Sequence, residues 1–260
     1  MSSDCPTPPL VRPSFRSSMS YRRQLSSLGR ILGIATAATA IGGLLNCASF
    51  PSPAQDGTVS TALSPSTSRS AASARSARGT IIAGAAGTYI DQLLADRDST
   101  IERWPNAIAR PLRVWIDSSA AIDGAQAGFP DAVRAAFRDW SATGIPLHFR
   151  YVDSPRDADI RVRWTDHLNH KTGSTTWRTD HGGWMLAGDI TLATHISDGQ
   201  ALDARGMRAI ALHETGHALG LSHSSDPADV MAPLVHVDGL SGPDRSTIRL
   251  LYSLPAGPVH

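Results

Sequence analysis

The segment His213-Glu214-Thr215-Gly216-His217-Ala218-Leu219-Gly220-Leu221-Ser222-His223 constrains this chain more than any other stretch. It lies in a helical pattern expected over 203–219, with Asp203 as N-cap and Ile210, Ala211, Leu212, Ala218 and Leu219 apolar. Residues four apart share one helix face, so the imidazoles of His213 and His217 project in the same direction. Zinc favours tetrahedral nitrogen ligation, and two ligands from one helix need a third from another direction. Gly220 can take a positive φ that ends the helix and redirects the chain, which makes His223 that third ligand. Three protein ligands leave a corner open for water, whose pKa zinc lowers to about 7, whereas a closed structural site takes four. Glu214, one of two glutamates in the chain, stands one step round the helix, where a carboxylate serves as general base. With ordinary residue frequencies, the five specified positions coincide by chance in about 1 in 10^5 chains of this length.

At 260 residues there is room for one ordinary domain and substantial additional sequence. The formal charge is +1, but Arg12, Arg16, Arg22, Arg23 and Arg30 crowd the N-terminus, leaving the remainder slightly acidic and without the basic surface that nucleic acid requires. Cys5 and Cys47 are the two cysteines, and both precede the expected globular part, so no disulfide staples it.

Residues 19–30 carry arginines and no acid, and the apolar, small and threonine run 31–45 follows, as in a secretory signal. That run is short of the roughly 20 residues that span a bilayer. Leu44-Leu45-Asn46-Cys47 resembles a lipoprotein cleavage box with Cys47 as lipid acceptor, although Asn46 departs from the usual small residue. Free secretion and membrane attachment both stay open. Met19 begins a signal of more typical proportions, which makes 1–18 an extended leader or a misplaced start.

Residues 1–48 are thus expected as leader and signal. A Ser/Ala/Pro-rich linker at 49–80 has too little apolar surface to order itself. Residues 81–106 form an N-terminal appendage with one short helix through Tyr89, Leu93 and Leu94, closed by Trp104-Pro105. In the catalytic region, 107–256, period-two alternation predicts strands at 111–117, 147–153, 160–164 and 184–194, the last with an irregularity at Gly188. A helix is expected from Asp131 to Trp140 and a last one from Pro243 to Tyr252. Trp115, Trp140 and Trp164 are expected in the core.

The pattern H-E-x-x-H-x-x-G-x-x-H, followed by Ser224 and Met231, resembles the metzincin clan and specifically the matrixin family. Leu240, Ser241, Asp244, Ile248, Leu251 and Tyr252 are similar to the closing helix of matrixins, and the resemblance covers about residues 108–254. It implies an α+β metzincin-type catalytic domain with a twisted mixed sheet of four to five strands and about three helices. It further implies zinc-dependent peptide hydrolysis, Met231 as a hydrophobic support under the metal and Asp244 as a brace of that turn. Pro233, Leu234 and Val235 would wall the pocket beyond the scissile bond. Gly173, Ser174, Thr175, Thr176 and Trp177 are the edge strand expected to pair with an extended substrate.

The chain also departs from the family. Thr191 stands where the animal relatives carry a histidine of a second, structural zinc, and no pro-segment cysteine is present for latency. His167, His170, His181 and His195 nonetheless cluster, leaving a differently built metal site open beside ordinary loop histidines. Asp180, Asp189, Asp198, Asp226 and Asp229 leave calcium open as a second cofactor. The expected partner is a protein or peptide substrate met by a monomer. The rival readings are a non-catalytic zinc-containing surface module and a processing factor for a single partner.

Overall fold

The computed structural model describes residues 15–16, 65–106, 110–118, 122–169 and 171–259. Cys5, Cys47, the apolar run 31–45, the lipoprotein-like box and His170 lie outside them. In chain order the elements are β1 (Phe15–Arg16), α1 (Pro65–Gly84), α2 (Ile90–Asp96), β2 (Thr100–Ile101), β3 (Leu112–Ile116), α3 (Phe129–Ser141), β4 (Phe149–Tyr151), β5 (Ile160–Thr165), β6 (Gly173–Thr179), β7 (Met185–Ala193), α4 (Ala204–Ala218), β8 (Leu234–Val235), α5 (Gly242–Ser253) and β9 (Gly257–Pro258).

Among the described residues, five strands form one mixed sheet in the order β4-β3-β5-β7-β6. The first four are parallel, and β6 runs antiparallel to β7 at the edge. The expected α+β class and mixed sheet are borne out. The parallel strands need crossovers, and α3 supplies the one between β3 and β4. Pro130 suits the first turn of α3, and Phe129, Val133, Ala136, Phe137 and Trp140 form its buried stripe. Trp140 donates its indole N–H to the Leu212 carbonyl at 2.9 Å, locking α3 onto α4. Asp203 caps α4 by accepting from the Gly206 amide at 2.7 Å, and Ser241 and Asp244 form a capping box on α5.

Four expectations need correction. Gly188 pairs regularly with both neighbours, and the register shift falls instead between Arg178 and Thr179 of β6. Leu112, Val114 and Ile116 take the inward phase of β3, so Trp115 points to the opposite face, half-buried, with the Arg163 guanidinium 5.7 Å from its ring centre. The stretch read as a disordered linker over 49–80 carries α1 from Pro65 onward. Alanine and arginine favour helix there, Ala77 and Ile81 bury one side of it, and the Arg78 guanidinium reaches the Val259 carbonyl at 2.7 Å. The segment read as an appendage is part of the core: Ile90, Leu93, Ile101 and Trp104 are buried, and β2 pairs with β9.

Candidate metal centre and active site

Helix α4 presents His213 and His217 from successive turns, and both are fully buried. Gly220 follows at φ 107°, a region costly for residues with a side chain, and its turn brings His223 back to the pair. The ligand nitrogens of the three imidazoles all lie within 4.8 Å of one another.

Protonation follows from the backbone. His213 Nδ1 stands 2.7 Å from the Val230 carbonyl and His217 Nδ1 stands 2.9 Å from the Leu221 carbonyl. Carbonyls only accept, so both Nδ1 atoms carry the proton and both Nε2 atoms expose a lone pair. Those two Nε2 atoms are 3.0 Å apart. The Nε2 atom of His223 is buried and has no hydrogen-bond partner among the described residues.

Burial pushes the His213 pKa down to about 3, helped by the charge of His223 and opposed by the Val230 carbonyl. Burial and the neighbouring imidazoles also hold His217 well below its ordinary value. His223 is lowered by burial, with Asp96 opposing. The cluster is therefore neutral at physiological pH, with the Nε2 lone pairs of His213 and His217 facing each other and the His223 ring beside them. That donor set fits a zinc ion.

Glu214 is buried beside the cluster, and Thr175 of β6 donates its hydroxyl to the Glu214 carboxylate at 2.6 Å. In β6, Gly173, Thr175, Trp177 and Thr179 face inward, while Ser174 is half-buried and Thr176 exposed. Trp177 donates its indole N–H to Glu102 at 3.0 Å, so its side chain is held inside the protein. The backbone of β6 keeps one edge outside the sheet order, as an extended substrate requires.

Below α4, Met231 is fully buried against Gly216, where an added Cβ would run into the Met231 sulfur and come within 3.0 Å of the Trp140 ring. The turn carrying Met231 is closed by the Ser224 amide donating to the Met231 carbonyl at 2.9 Å. Asp244 accepts from the Val230 amide at 2.9 Å, and Val230 is the residue whose carbonyl orients His213. Pro233 and Leu234 are exposed just beyond Met231 and Val235 is buried. The backbone of Leu234–Val235 pairs antiparallel with Phe15–Arg16, so this edge accepts an extended segment.

The matrixin family profile matches residues 115–253, more than half of the chain. The chain belongs to the matrixin family. It is 32% identical to human matrix metalloproteinase-15 over 155 residues, covering 49% of this chain and 22% of that protein. Identity to probable matrix metalloproteinase 095L of invertebrate iridescent virus 3 is 36% over 110 residues, covering 37% of this chain and 29% of the relative. Metalloendoproteinase 1 of Glycine max is 27% identical over 147 residues, covering 48% of this chain and 46% of the relative. The chain thus spans less than half the length of these relatives.

Elsewhere in this matrixin, His167 and His195 stack with ring centres 5.0 Å apart, and His181 is exposed. Among the described residues, the three imidazoles at 213, 217 and 223 are the one group of three or more His, Cys, Asp or Glu close enough to hold a metal ion. The aspartates considered for calcium have other work. Asp180, Asp198 and Asp226 accept from nearby turn amides, Asp189 pairs with Arg161 and Arg163, and Asp229 accepts from Ser224 and Ser241. Sequence reasoning missed the contact of Thr175 with Glu214, because a short polar side chain on a strand leaves no periodic signal.

Proposed function

We propose that this matrixin is a zinc-dependent endopeptidase acting outside the cytoplasm, with His213, His217 and His223 as zinc ligands and Glu214 as general base. The observation that carries the reading is the gathering of three imidazoles, with ligand nitrogens all within 4.8 Å of one another, beside a buried carboxylate. The family and its relatives support peptide-bond hydrolysis in general. The arginine-bearing leader and the apolar run 31–45 support export, with Cys47 as the residue that would carry a lipid.

Zinc supplies a Lewis acid that polarises a carbonyl and acidifies water. The chain's own part is positioning. The Val230 and Leu221 carbonyls fix the tautomer and ring orientation of His213 and His217. The substrate backbone pairs with β6, holding a peptide carbonyl beside Glu214, and Pro233–Val235, whose edge Phe15–Arg16 takes in this structure, forms the opposite wall once that segment leaves. Glu214 takes the proton of the attacking water and returns it to the nitrogen of the leaving amine, so no covalent acyl intermediate forms. Met231 fills the space beneath α4 against Gly216.

Glu214→Gln removes the base and keeps the shape. The variant should bind one zinc yet lose hydrolysis of a quenched fluorescent peptide library. Full retained activity would refute Glu214 as base, and joint loss of zinc and activity would assign it a folding role.

A further inference from the structure

We propose that Arg97, just after helix α2, is a positioning residue for the zinc ligand His217, acting through the Leu221 carbonyl. The proposal rests on the zinc reading of the three imidazoles. Asp98 and Ser99 take positive φ, 48° and 55°, reversing the chain after α2 beside Arg97, which is 1% exposed. Its Nη2 donates to the Leu221 carbonyl at 3.2 Å, the same oxygen that accepts from His217 Nδ1 at 2.9 Å.

Leu221 lies just past α4, where the last carbonyls of a helix have no partner within it. The N-terminal segment supplies partners there: Trp104 donates to the Ala218 carbonyl at 2.8 Å, and Arg97 donates to that of Leu221. A cation at this end also meets the negative end of the helix dipole. The guanidinium has further attachments. Its Nη1 donates to the Glu102 carbonyl at 3.3 Å and lies 3.8 Å from the Glu102 carboxylate. The same carboxylate accepts from Trp177 of β6, whose ring centre is 5.0 Å from the guanidinium carbon.

One buried fork therefore ties the carbonyl that aims a metal ligand to the strand that receives substrate. A lysine, with one nitrogen, cannot meet these partners together. A buried guanidinium is expensive to desolvate and persists where several partners answer it. Groups that orient metal ligands from behind typically change metal affinity by about 10–100-fold when removed.

The test uses the full chain and three variants. The double variant R97M/E102Q removes both charges without stranding either, R97K keeps the charge but loses the fork, and L112A is a core cut in β3 matched for loss of stability. Zinc affinity is read by competition with a fluorescent chelator and folding of the metal-free protein by circular dichroism. R97M/E102Q should bind zinc about 10–100-fold more weakly, R97K should also bind more weakly, and L112A should match the unmodified protein. If R97M/E102Q does not fold, R97K decides on the same readout. Unchanged zinc affinity in R97M/E102Q or R97K, or an equal loss in L112A, would overturn the positioning role while leaving the zinc reading standing. No zinc uptake by the unmodified protein would overturn that reading and this inference with it.

Discussion

The Nε2 atoms of His213 and His217 face each other at 3.0 Å, each with its proton committed to the opposite ring nitrogen. Two lone pairs at that separation repel unless a cation stands between them and their neighbour His223. Zinc should therefore stabilise the fold by mass action, about 4 kcal/mol when free zinc is 1,000 times its dissociation constant. Thermal unfolding with and without a chelator checks this: the midpoint should fall on chelation and return with added zinc, and an unmoved midpoint would contradict it.

Thr175 holds the Glu214 carboxylate from the edge strand. Thr175→Val keeps strand propensity and shape but removes the donor. A hydrogen bond to a charged group contributes about 1.5–3 kcal/mol, so kcat on a peptide substrate should drop by about tenfold or more with KM nearly unchanged. Thr175→Ser should restore most of it. A rise in KM at constant kcat would instead place Thr175 in substrate binding.

Gly216 leaves the space that Met231 and Trp140 fill. Gly216→Ala should overpack this layer and destabilise by about 1–3 kcal/mol, read from denaturant unfolding. An unchanged midpoint would mean that the methionine can move aside without loss.

How much of this was legible in sequence depended on the reach of the signal. The grouping of His213, His217 and His223 was legible because i, i+4 spacing and a glycine bend are local geometry. The sheet was legible because Leu112, Val114 and Ile116, or Ile160 and Val162, alternate along one strand. Trp115 was misplaced because the core-facing phase of its strand was assigned to it, whereas Leu112, Val114 and Ile116 take that phase. The segment from Tyr89 to Trp104 was read as an appendage because its partners are far along the chain: the Tyr89 hydroxyl donates to Asp244 at 3.1 Å, and Trp104 donates to the Ala218 carbonyl. No periodicity in a short stretch reveals a partner more than a hundred residues away.

Asp159 joins the starts of β3 and β5. Burial raises its pKa, but hydrogen bonds from Arg113 and Arg110 outweigh this and bring it to about 2. A carboxylate whose pKa is lower folded than unfolded binds more protons when unfolded. Its contribution is thus present above the unfolded value near 3.9 and is lost as pH falls towards 2, by an amount on the order of 1 kcal/mol after solvent screening. Asp159→Asn should flatten the stability profile between pH 4 and 2, as followed by urea unfolding at each pH on the order of one unit apart. A profile as steep as the unmodified protein's would assign the acid sensitivity to other carboxylates.

The central claim is the geometry of one ion. X-ray absorption at the zinc edge of the reconstituted protein should report three imidazole nitrogens at about 2.0–2.1 Å and one exchangeable oxygen, falling to two imidazoles in His223→Ala. A fourth protein ligand, or a spectrum that does not respond to loss of His223, would contradict it.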